Sequence, residues 1–308
     1  MSDLALRSRD LRKVYASKSA NPVTALAGVS LEVQRGERVA LLGRNGAGKT
    51  TFLRIASTLL RPTSGSIQVF DVEVDRHPDK VRPYIAVVPQ EGKPFFHLTP
   101  REQVYTYLRA RGLTRETAKA RTEGSLERMG LTEFADRLSI TLSGGQRQRA
   151  MVATVIATEA PLLFLDEPTI GLDPFARRAV WDSLRDLTRR GSTIVLTTHY
   201  LDEADALSQR LYIIERGHVL VSGTAEELKR SVGGTLKVFL PQGAPSVDRF
   251  RGFGSCVTDG EGLTVIVAPE RLSELMTGAL GLGLTATVGP VTLEEAFLNV
   301  VGRSIDED

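Results

Sequence analysis

The stretch "GRNGAGKTT", residues 43–51, follows the apolar run "VALL" and precedes "FLRIA". Its first eight residues fit G-x-x-x-x-G-K-[S/T], a pattern in which the backbone amides of a glycine-rich loop converge on a polyphosphate. The flanking runs predict a buried strand before the loop and a helix after it, which is the setting that the pattern requires. The sequence therefore predicts a nucleotide-binding loop, although enzymes of many classes share one.

Short apolar runs elsewhere in the chain predict the sheet that carries this loop. They are "YIAVV" (84–88), "LLFLD" (162–166), "TIVLTT" (193–198) and "RLYII" (210–214). Runs of this length that alternate with helical stretches are typical of α/β proteins with largely parallel strands.

The segment from about 92 to 157 contrasts with the runs around it and predicts an inserted helical subdomain. Thr99 is the expected N-cap of its first helix, Glu102 completes a capping box, and Gly112 ends that helix. A second helix is expected from Arg115 to Met129.

The pattern changes again after residue 222. Residues 223–308 predict the order β-α-β-β-α-β, which is the ferredoxin-like arrangement, followed by a last helix in "TLEEAFLNVVG". Within this order we expect a short helix at 244–253, an Asp-Gly turn region near 259–261 and a strand in "LTATVG" (284–289). We expect one domain over residues 1–222 and an accessory α+β domain over 223–308.

A second glycine-containing motif, "LSGGQ" at 142–146, directly precedes a helical run. It has the form of a helix N-terminus suited to an anion. Because one γ-phosphate does not need two such loops, we expect this motif to complete the site of a second copy. The result would be a head-to-tail dimer around nucleotide.

Two adjacent carboxylates follow the strand "LLFLD". Asp166 is expected to hold Mg²⁺, and Glu167 to polarise an attacking water, although both residues also fit a solvated strand end. Gln90 and His199 each follow a predicted strand and are candidates for sensing the metal and the γ-phosphate. A structural role for His199 stays open.

Two more positions complete the set. Asp173 in "GLDP" can bridge two active sites across a dimer, and Tyr15 can stack on adenine, with a core tyrosine as the alternative.

These pieces resemble the ATP-binding cassette (ABC) family, the motor subunits of ABC transporters. The resemblance covers residues 1 to about 222, with the motifs in the family's order. It implies an α/β P-loop cassette, with a RecA-like core, antiparallel β-strands and an inserted helical subdomain, to which residues 223–308 add the small ferredoxin-like C-terminal domain predicted from their pattern.

The resemblance also implies roles for the residues named above. Those implied to bind ATP are Tyr15, Gly43, Arg44, Asn45, Gly46, Ala47, Gly48, Lys49, Thr50, Thr51, Ser143, Gly144, Gly145, Gln146 and Asp173. Those implied to hold Mg²⁺ are Thr50, Gln90 and Asp166. Those implied to act in ATP hydrolysis are Lys49, Gln90, Glu167 and His199.

The ending "VTLEEAFLNVVG" resembles that of ABC-2-type exporter ATPases of the drug-resistance and sodium-export types. This implies a homodimer of ATPase subunits that drives a separate ABC-2-type transmembrane subunit from the cytoplasmic face of the membrane. We expect no signal peptide at the N-terminus.

The alternative is a soluble ABC ATPase acting on nucleic acid or ribosomes, against which the formal net charge of +2 argues. A regulatory module that binds nucleotide without turnover is a third class.

Overall fold

The computed structural model describes residues 3–16, 21–90, 95–241, 249–258 and 262–306. The chain forms two compact units. The first comprises Met1–Tyr200 and Leu207–Val219, and the second comprises Leu201–Ala206 and Leu220–Asp308.

The strands of the first unit form two sheets. They are β1 (Leu4–Tyr15), β2 (Val23–Gln34), β3 (Arg38–Leu42), β4 (Ser64–Val69), β5 (Val72–Glu73), β6 (Ile85–Val88), β7 (Leu162–Asp166), β8 (Thr193–Thr198) and β9 (Arg210–Glu215), with β10 (His218–Gly223) running on into the second unit. One sheet is antiparallel, in the order β2-β1-β4-β5. The other has the order β10-β9-β3-β8-β7-β6, and its strands from β9 to β6 are parallel, as predicted.

The core of this unit lies around the first helix, α1 (Lys49–Ala56). Phe52 and Ile55 of α1 are fully buried in one cluster with Leu41 of β3 and Phe164 of β7. Burial of each such side chain contributes about 1.5–3 kcal/mol. The core thus fixes the point at which β3 leads through the glycine-rich loop into α1.

The remaining helices of the first unit are α2 (Pro78–Val81), α3 (Pro100–Ala110), α4 (Arg115–Arg128), α5 (Gly144–Ile156) and α6 (Pro174–Arg189). Helices α3, α4 and α5 pack on one another, as the helical insertion predicts. Thr99 and Glu102 form the predicted capping box at the start of α3. Residues 92–94 of the predicted insertion lie outside the described residues.

Two predicted strand boundaries are wrong. Tyr84 does not open a strand, because Arg82–Tyr84 forms a 3-10 turn around Pro83, whose ring fixes φ. The strand predicted from Leu284 begins only at Thr287, since the Leu284 amide donates to the Ala279 carbonyl and closes the preceding helix.

The second unit contains a four-stranded antiparallel sheet. Its elements are α7 (Leu201–Leu207), which ends in the first unit, α8 (Ala225–Ser231), β11 (Leu236–Pro241), β12 (Gly254–Thr258), β13 (Gly262–Val267), α9 (Leu272–Gly281), β14 (Thr287–Pro290) and α10 (Leu293–Asp306). The strand order β12-β13-β11-β14 matches the predicted ferredoxin-like arrangement. The predicted helix at 244–253 and the turn at 259–261 lie partly or wholly outside the described residues.

Within the described ranges, no helix is both long enough and apolar enough to cross a bilayer.

We predict that Gly48→Ala destabilises the protein far more than Gly46→Ala. Both glycines have left-handed φ angles, 109° and 85°, which cost an alanine about 1–2 kcal/mol. A Cβ on Gly48 would also lie 2.4 Å from the Ala25 carbonyl oxygen, whereas one on Gly46 would meet nothing within 4 Å. Urea unfolding of the two variants measures the difference, and equal losses in free energy of unfolding would contradict this packing.

Candidate functional site

Lys49 lies at the centre of the glycine-rich loop. Its side chain is only 6% exposed, and its ammonium donates hydrogen bonds to the carbonyl oxygens of Gly43 (2.7 Å) and Arg44 (3.1 Å). Burial lowers the pKa of Lys49, while the carboxylates of Glu167, Asp166 and Glu215 oppose the shift. The ammonium is thus held inside the loop by neutral oxygens, which anionic phosphate oxygens can replace with a stronger interaction.

Asp166, at the end of β7, connects three elements of the site. Its Oδ1 accepts hydrogen bonds from the hydroxyls of Thr50 (3.1 Å) and Thr197. Thr50 Oγ1 also lies 3.2 Å from Gln90 Oε1. Burial raises the pKa of Asp166, and the bonds from Thr197 and Thr50 act against that rise.

The oxygens of Thr50, Gln90 and Asp166 fit Mg²⁺. No group of three or more His, Cys, Asp or Glu side chains able to hold a metal occurs within the described ranges. Mg²⁺ needs no such cluster, because it commonly takes one or two carboxylates together with the phosphates of a nucleotide. The Gln90 amide oxygen and the Asp166 carboxylate both lie within hydrogen-bond distance of the Thr50 hydroxyl, and all three groups offer oxygen ligands of the kind that Mg²⁺ binds.

Glu167 is held in a conformation that side chains rarely adopt. Its φ is 51°, and its amide donates to both the carbonyl (3.2 Å) and the hydroxyl (3.1 Å) of Thr197. The carboxylate is buried, and its Oε1 lies 3.2 Å from Nδ1 of His199. Left-handed backbone at a non-glycine residue costs free energy and is often found at functional sites. The geometry aims the carboxylate of Glu167 at His199.

A cavity of about 580 Å³ opens above these groups. Its lining is Tyr15, Val23, Ala25, Asn45, Gly46, Ala47, Gly48, Lys49, Thr50, Thr51, Gln90, Glu167, Ile170 and His199. At one side the Tyr15 hydroxyl lies 3.4 Å from Thr51 Oγ1, and the Tyr15 ring is partly exposed rather than in the core. The cavity thus brings together the predicted residues Tyr15, Asn45–Thr51, Gln90, Glu167 and His199.

Other predicted residues do not line that cavity. The carbonyls of Gly43 and Arg44 contact Lys49, and Asp166 contacts Thr50, but the residues from Ser143 to Gln146 and Asp173 are absent from the lining.

The "LSGGQ" motif forms the N-terminus of α5. Ser143 is the N-cap, its Oγ accepts from the Gln146 amide (3.2 Å), and Gln146 Oε1 accepts from the Ser143 amide (2.8 Å). Ser143 and Gly144 are exposed. A rigid helix start with an open face is available for a ligand or for another chain.

Asp173 forms the corresponding start of α6. Its Oδ1 accepts from the amides of Phe175 and Ala176, both at 3.0 Å, and these bonds lower the pKa of Asp173. A Cβ on Gly145 would lie 3.5 Å from the Gly171 carbonyl, so the two helix starts are neighbours.

Sequence reasoning missed two residues that organise the site. Thr197 contacts Asp166 and Glu167, and Gln148 of α5 donates to the Pro168 carbonyl (3.0 Å). Thr197 could have been recognised in the sequence, because it carries a hydroxyl in a largely apolar strand that ends just before His199. No comparable signal marked Gln148, which lies among other polar residues.

The comparisons with known proteins agree on one family. A family model described as ABC transporter matches residues 26–170. The daunorubicin/doxorubicin resistance ATP-binding protein DrrA of Streptomyces peucetius is 36% identical over 98% of this chain and 94% of its own length. Nod factor export ATP-binding protein I of Burkholderia orbicola is 34% identical over 100% of both chains.

Solved structures give the same result for the fold. A dimeric ATP-binding cassette in a post-hydrolysis state with ADP and Pi superimposes with a TM-score of 0.67 at 27% identity, covering 71% of this chain and 98% of that one. An ATP-binding subunit of an ABC transporter has a TM-score of 0.66 at 29% identity, over 74% of this chain and 93% of that one.

We predict that Asp166→Asn raises the free energy of unfolding at pH 7. Because burial raises the pKa of Asp166 in the folded protein, the folded state takes up the proton more readily. The carboxylate therefore reduces stability once the pH exceeds its unfolded pKa of about 3.9. Asparagine can still accept the bonds from Thr50 and Thr197 without the buried charge.

Urea unfolding at several pH values tests this prediction. The gain from Asp166→Asn should shrink as the pH falls towards the range in which Asp166 is protonated in both states. Asp75→Asn, at an exposed turn position, is the matched control and should change stability little. An Asp166→Asn protein less stable than the wild type at pH 7 would show that the hydrogen bonds outweigh desolvation.

Proposed function

The chain belongs to the ABC transporter family, and we propose that it is the ATP-hydrolysing subunit of an exporter that acts as a dimer on a separate ABC-2-type transmembrane subunit. As a member of that family it binds ATP and is an ATPase. The names of its relatives, a drug-resistance protein and a Nod factor export protein, support the exporter assignment. The proposed location is the cytoplasmic face of the membrane.

In the proposed mechanism the phosphates of ATP bind over the loop from Gly43 to Thr51. Lys49 releases the carbonyls of Gly43 and Arg44 and binds the β- and γ-phosphates, as charge-assisted hydrogen bonds to anions are the stronger ones. Tyr15 lies at the edge of the same cavity with its ring partly exposed, which supports a role in stacking on adenine.

Thr50, Gln90 and Asp166 are the proposed protein ligands of Mg²⁺. When bound, the ion would neutralise part of the charge that develops on the transferred phosphoryl group.

Glu167 is the proposed general base, and its position is the main support for a hydrolytic site. It is buried, lines the cavity, and its Oε1 lies within 3.2 Å of His199 Nδ1. A carboxylate so placed can accept the proton of an attacking water. His199 orients the carboxylate and can hydrogen-bond the γ-phosphate.

We propose a dimer because the predicted ATP-binding residues of one chain form two separate groups, one in the cavity and one at two helix starts outside it. Ser143 with Gly145, and Asp173, present exposed or partly exposed helix starts beside each other but outside the cavity. In an isologous dimer the same surface on each copy contacts the other, so each helix start can cover the partner's cavity. The solved cassette with ADP and Pi is itself dimeric.

A groove on the helical part of the first unit is the proposed contact for the transmembrane subunit. Its cavity volume is about 390 Å³, and it is bordered by Val87, Pro89, Phe95, Leu98, Gln103, Thr106, Tyr107, Ala110, Met151, Thr154 and Val155. Phe95 is 69% exposed there. A short amphipathic helix fits such an apolar groove next to Gln90, whose movement would link nucleotide to membrane subunit.

Residues 223–308 form the proposed accessory domain, with residues 1–222 as the ATP-binding domain. The predicted catalytic and ATP-binding residues all fall before residue 223.

We predict that Glu167→Gln binds ATP but accumulates as a closed dimer with Mg-ATP. Glutamine keeps the shape and removes the base, and loss of a general base typically lowers the rate by about 10² to 10⁴. Size-exclusion chromatography with Mg-ATP, ADP or no nucleotide measures the dimer. Glu133→Gln, an exposed carboxyl, is the control and should behave as wild type.

A Glu167→Gln protein that binds ATP yet stays monomeric at all concentrations would refute the dimer. Unchanged ATPase activity in that variant would refute the role of Glu167.

We predict that Thr106→Glu strongly weakens binding to inverted membrane vesicles from cells that make the protein. Thr106 borders the groove and is exposed, so folding should survive, whereas docking would bury an unpaired charge. Thr117→Glu makes the same change on α4, at the third helical position, where glutamate is favoured. Co-sedimentation should fall at least about tenfold for Thr106→Glu only.

Protease treatment of the vesicles should also remove binding, because the proposed partner is a protein. Equal sedimentation of both variants would refute the groove. ATPase activity that rises with DNA or RNA, and not with vesicles, would favour the nucleic-acid alternative.

A further inference from the structure

Three side chains beyond Glu167 form a continuous series of contacts. Nδ1 of His199 lies 3.2 Å from Glu167 Oε1. The rings of His199 and Tyr200 have centroids 4.2 Å apart at an interplanar angle of 37°. The guanidinium carbon of Arg177 lies 4.5 Å from the centroid of the Tyr200 ring. Tyr200 and Arg177 line no part of the nucleotide cavity, so neither is placed to touch ATP.

The two ends of this series belong to different parts of the first unit. The Tyr200 amide donates to Thr198 Oγ1 (2.9 Å), which ties the tyrosine to the end of β8. Arg177 lies in the first turn of α6, where its amide donates to the Asp173 carbonyl (2.9 Å). The Tyr200 ring therefore bridges from the strand that carries His199 to the helix that begins at Asp173.

His199 needs such support because burial does not fix it. Its side chain is 37% exposed, whereas that of Glu167 is 6% exposed. An exposed imidazole can adopt several rotamers, and only some of them bring Nδ1 to the carboxylate. The Tyr200 ring occupies one side of the imidazole, and an arginine over that ring is attracted to it by cation–π interaction.

We propose that Arg177 and Tyr200 are positioning residues, and that their stack sets the orientation of His199 according to the position of the first turn of α6. This inference rests on the proposed roles of Glu167, His199 and Asp173. When a second copy contacts Asp173, a small displacement of α6 would move the Arg177 guanidinium relative to the Tyr200 ring. The ring would then hold or release His199, so that assembly controls the base without Asp173 reaching it directly.

Steady-state ATPase kinetics of the full chain, with titration of a fluorescent ATP analogue, test the proposal. Tyr200→Leu removes the ring, and Arg177→Met removes the charge while keeping a long side chain. Each should lower kcat by roughly 10- to 100-fold, the effect expected of a misplaced catalytic group. The analogue's Kd and the KM for Mg-ATP should stay within about twofold, because neither residue lines the cavity.

Three controls separate positioning from general damage. Tyr200→Phe keeps the ring and should restore kcat to within about twofold of wild type. Arg178→Met makes the same change at the adjacent, exposed position of α6 and should be silent. The double variant Arg177→Met/Tyr200→Leu should be no slower than the slower single variant, since residues acting as one unit are not additive.

Several results would overturn the proposal. They are a kcat within twofold of wild type for folded Tyr200→Leu or Arg177→Met, a loss in Tyr200→Phe equal to that in Tyr200→Leu, and single losses that multiply in the double variant. If one single variant fails to fold, as judged by thermal unfolding, the other still decides the outcome. His199→Ala tests the underlying role separately, because full activity in that variant would remove the proposed function of His199 itself.

Discussion

A buried ammonium facing two buried carboxylates is the interaction on which the rest of the site depends. Lys49, Asp166 and Glu167 are each about 5% exposed, with values of 6%, 4% and 5%. Removing such charges from water costs several kcal/mol for each ion unless they find partners. The chain supplies them through carbonyls for Lys49 and threonine hydroxyls for Asp166. These partners do not fully offset the cost of burying the charges, as the lowered pKa of Lys49 and the raised pKa of Asp166 indicate. A bound polyphosphate with its metal would offset the remainder.

The parallel sheet explains why residues so distant in sequence meet at this point. Asp166 of β7 pairs in register with Thr197 of β8, and Thr198 pairs with Leu42 of β3, the residue before the loop. Carboxyl ends of parallel strands share one edge, where ligands of open α/β sheets bind. The register thus places the proposed metal ligand Asp166, the proposed base Glu167 and the glycine-rich loop side by side, although the loop and the two carboxylates are far apart in sequence.

The regular arrangement of the parallel strands also determined which parts of the structure could be predicted from the sequence. Apolar runs and the fixed motif spacing predicted the parallel sheet, the loop and the residues that follow β7 and β8, because each depends on local pattern. The left-handed φ of Glu167, the bonds of Thr197 and the stack of Tyr200 on Arg177 depend on which elements become neighbours, and no local pattern encodes that. At Tyr84 a local pattern misled instead, because the run begins one residue before the strand, where Tyr84 still belongs to the 3-10 turn that contains Pro83.

The division of the site has an energetic consequence for the proposed cycle. Glu167 and His199, with the Glu167 φ of 51° and the contact between the two side chains, come from one chain. In the proposed cycle, closure of a dimer therefore adds the helix starts at Ser143 and Asp173 to a cavity whose proposed base comes from one copy, and covering the γ-phosphate would provide free energy to move another subunit. A ligand shifts an equilibrium only by its differential affinity for the two states. In the proposed dimer ATP would have that differential, because the helix start at Ser143 would meet its γ-phosphate only in the closed state, and hydrolysis would remove the group that favours closure.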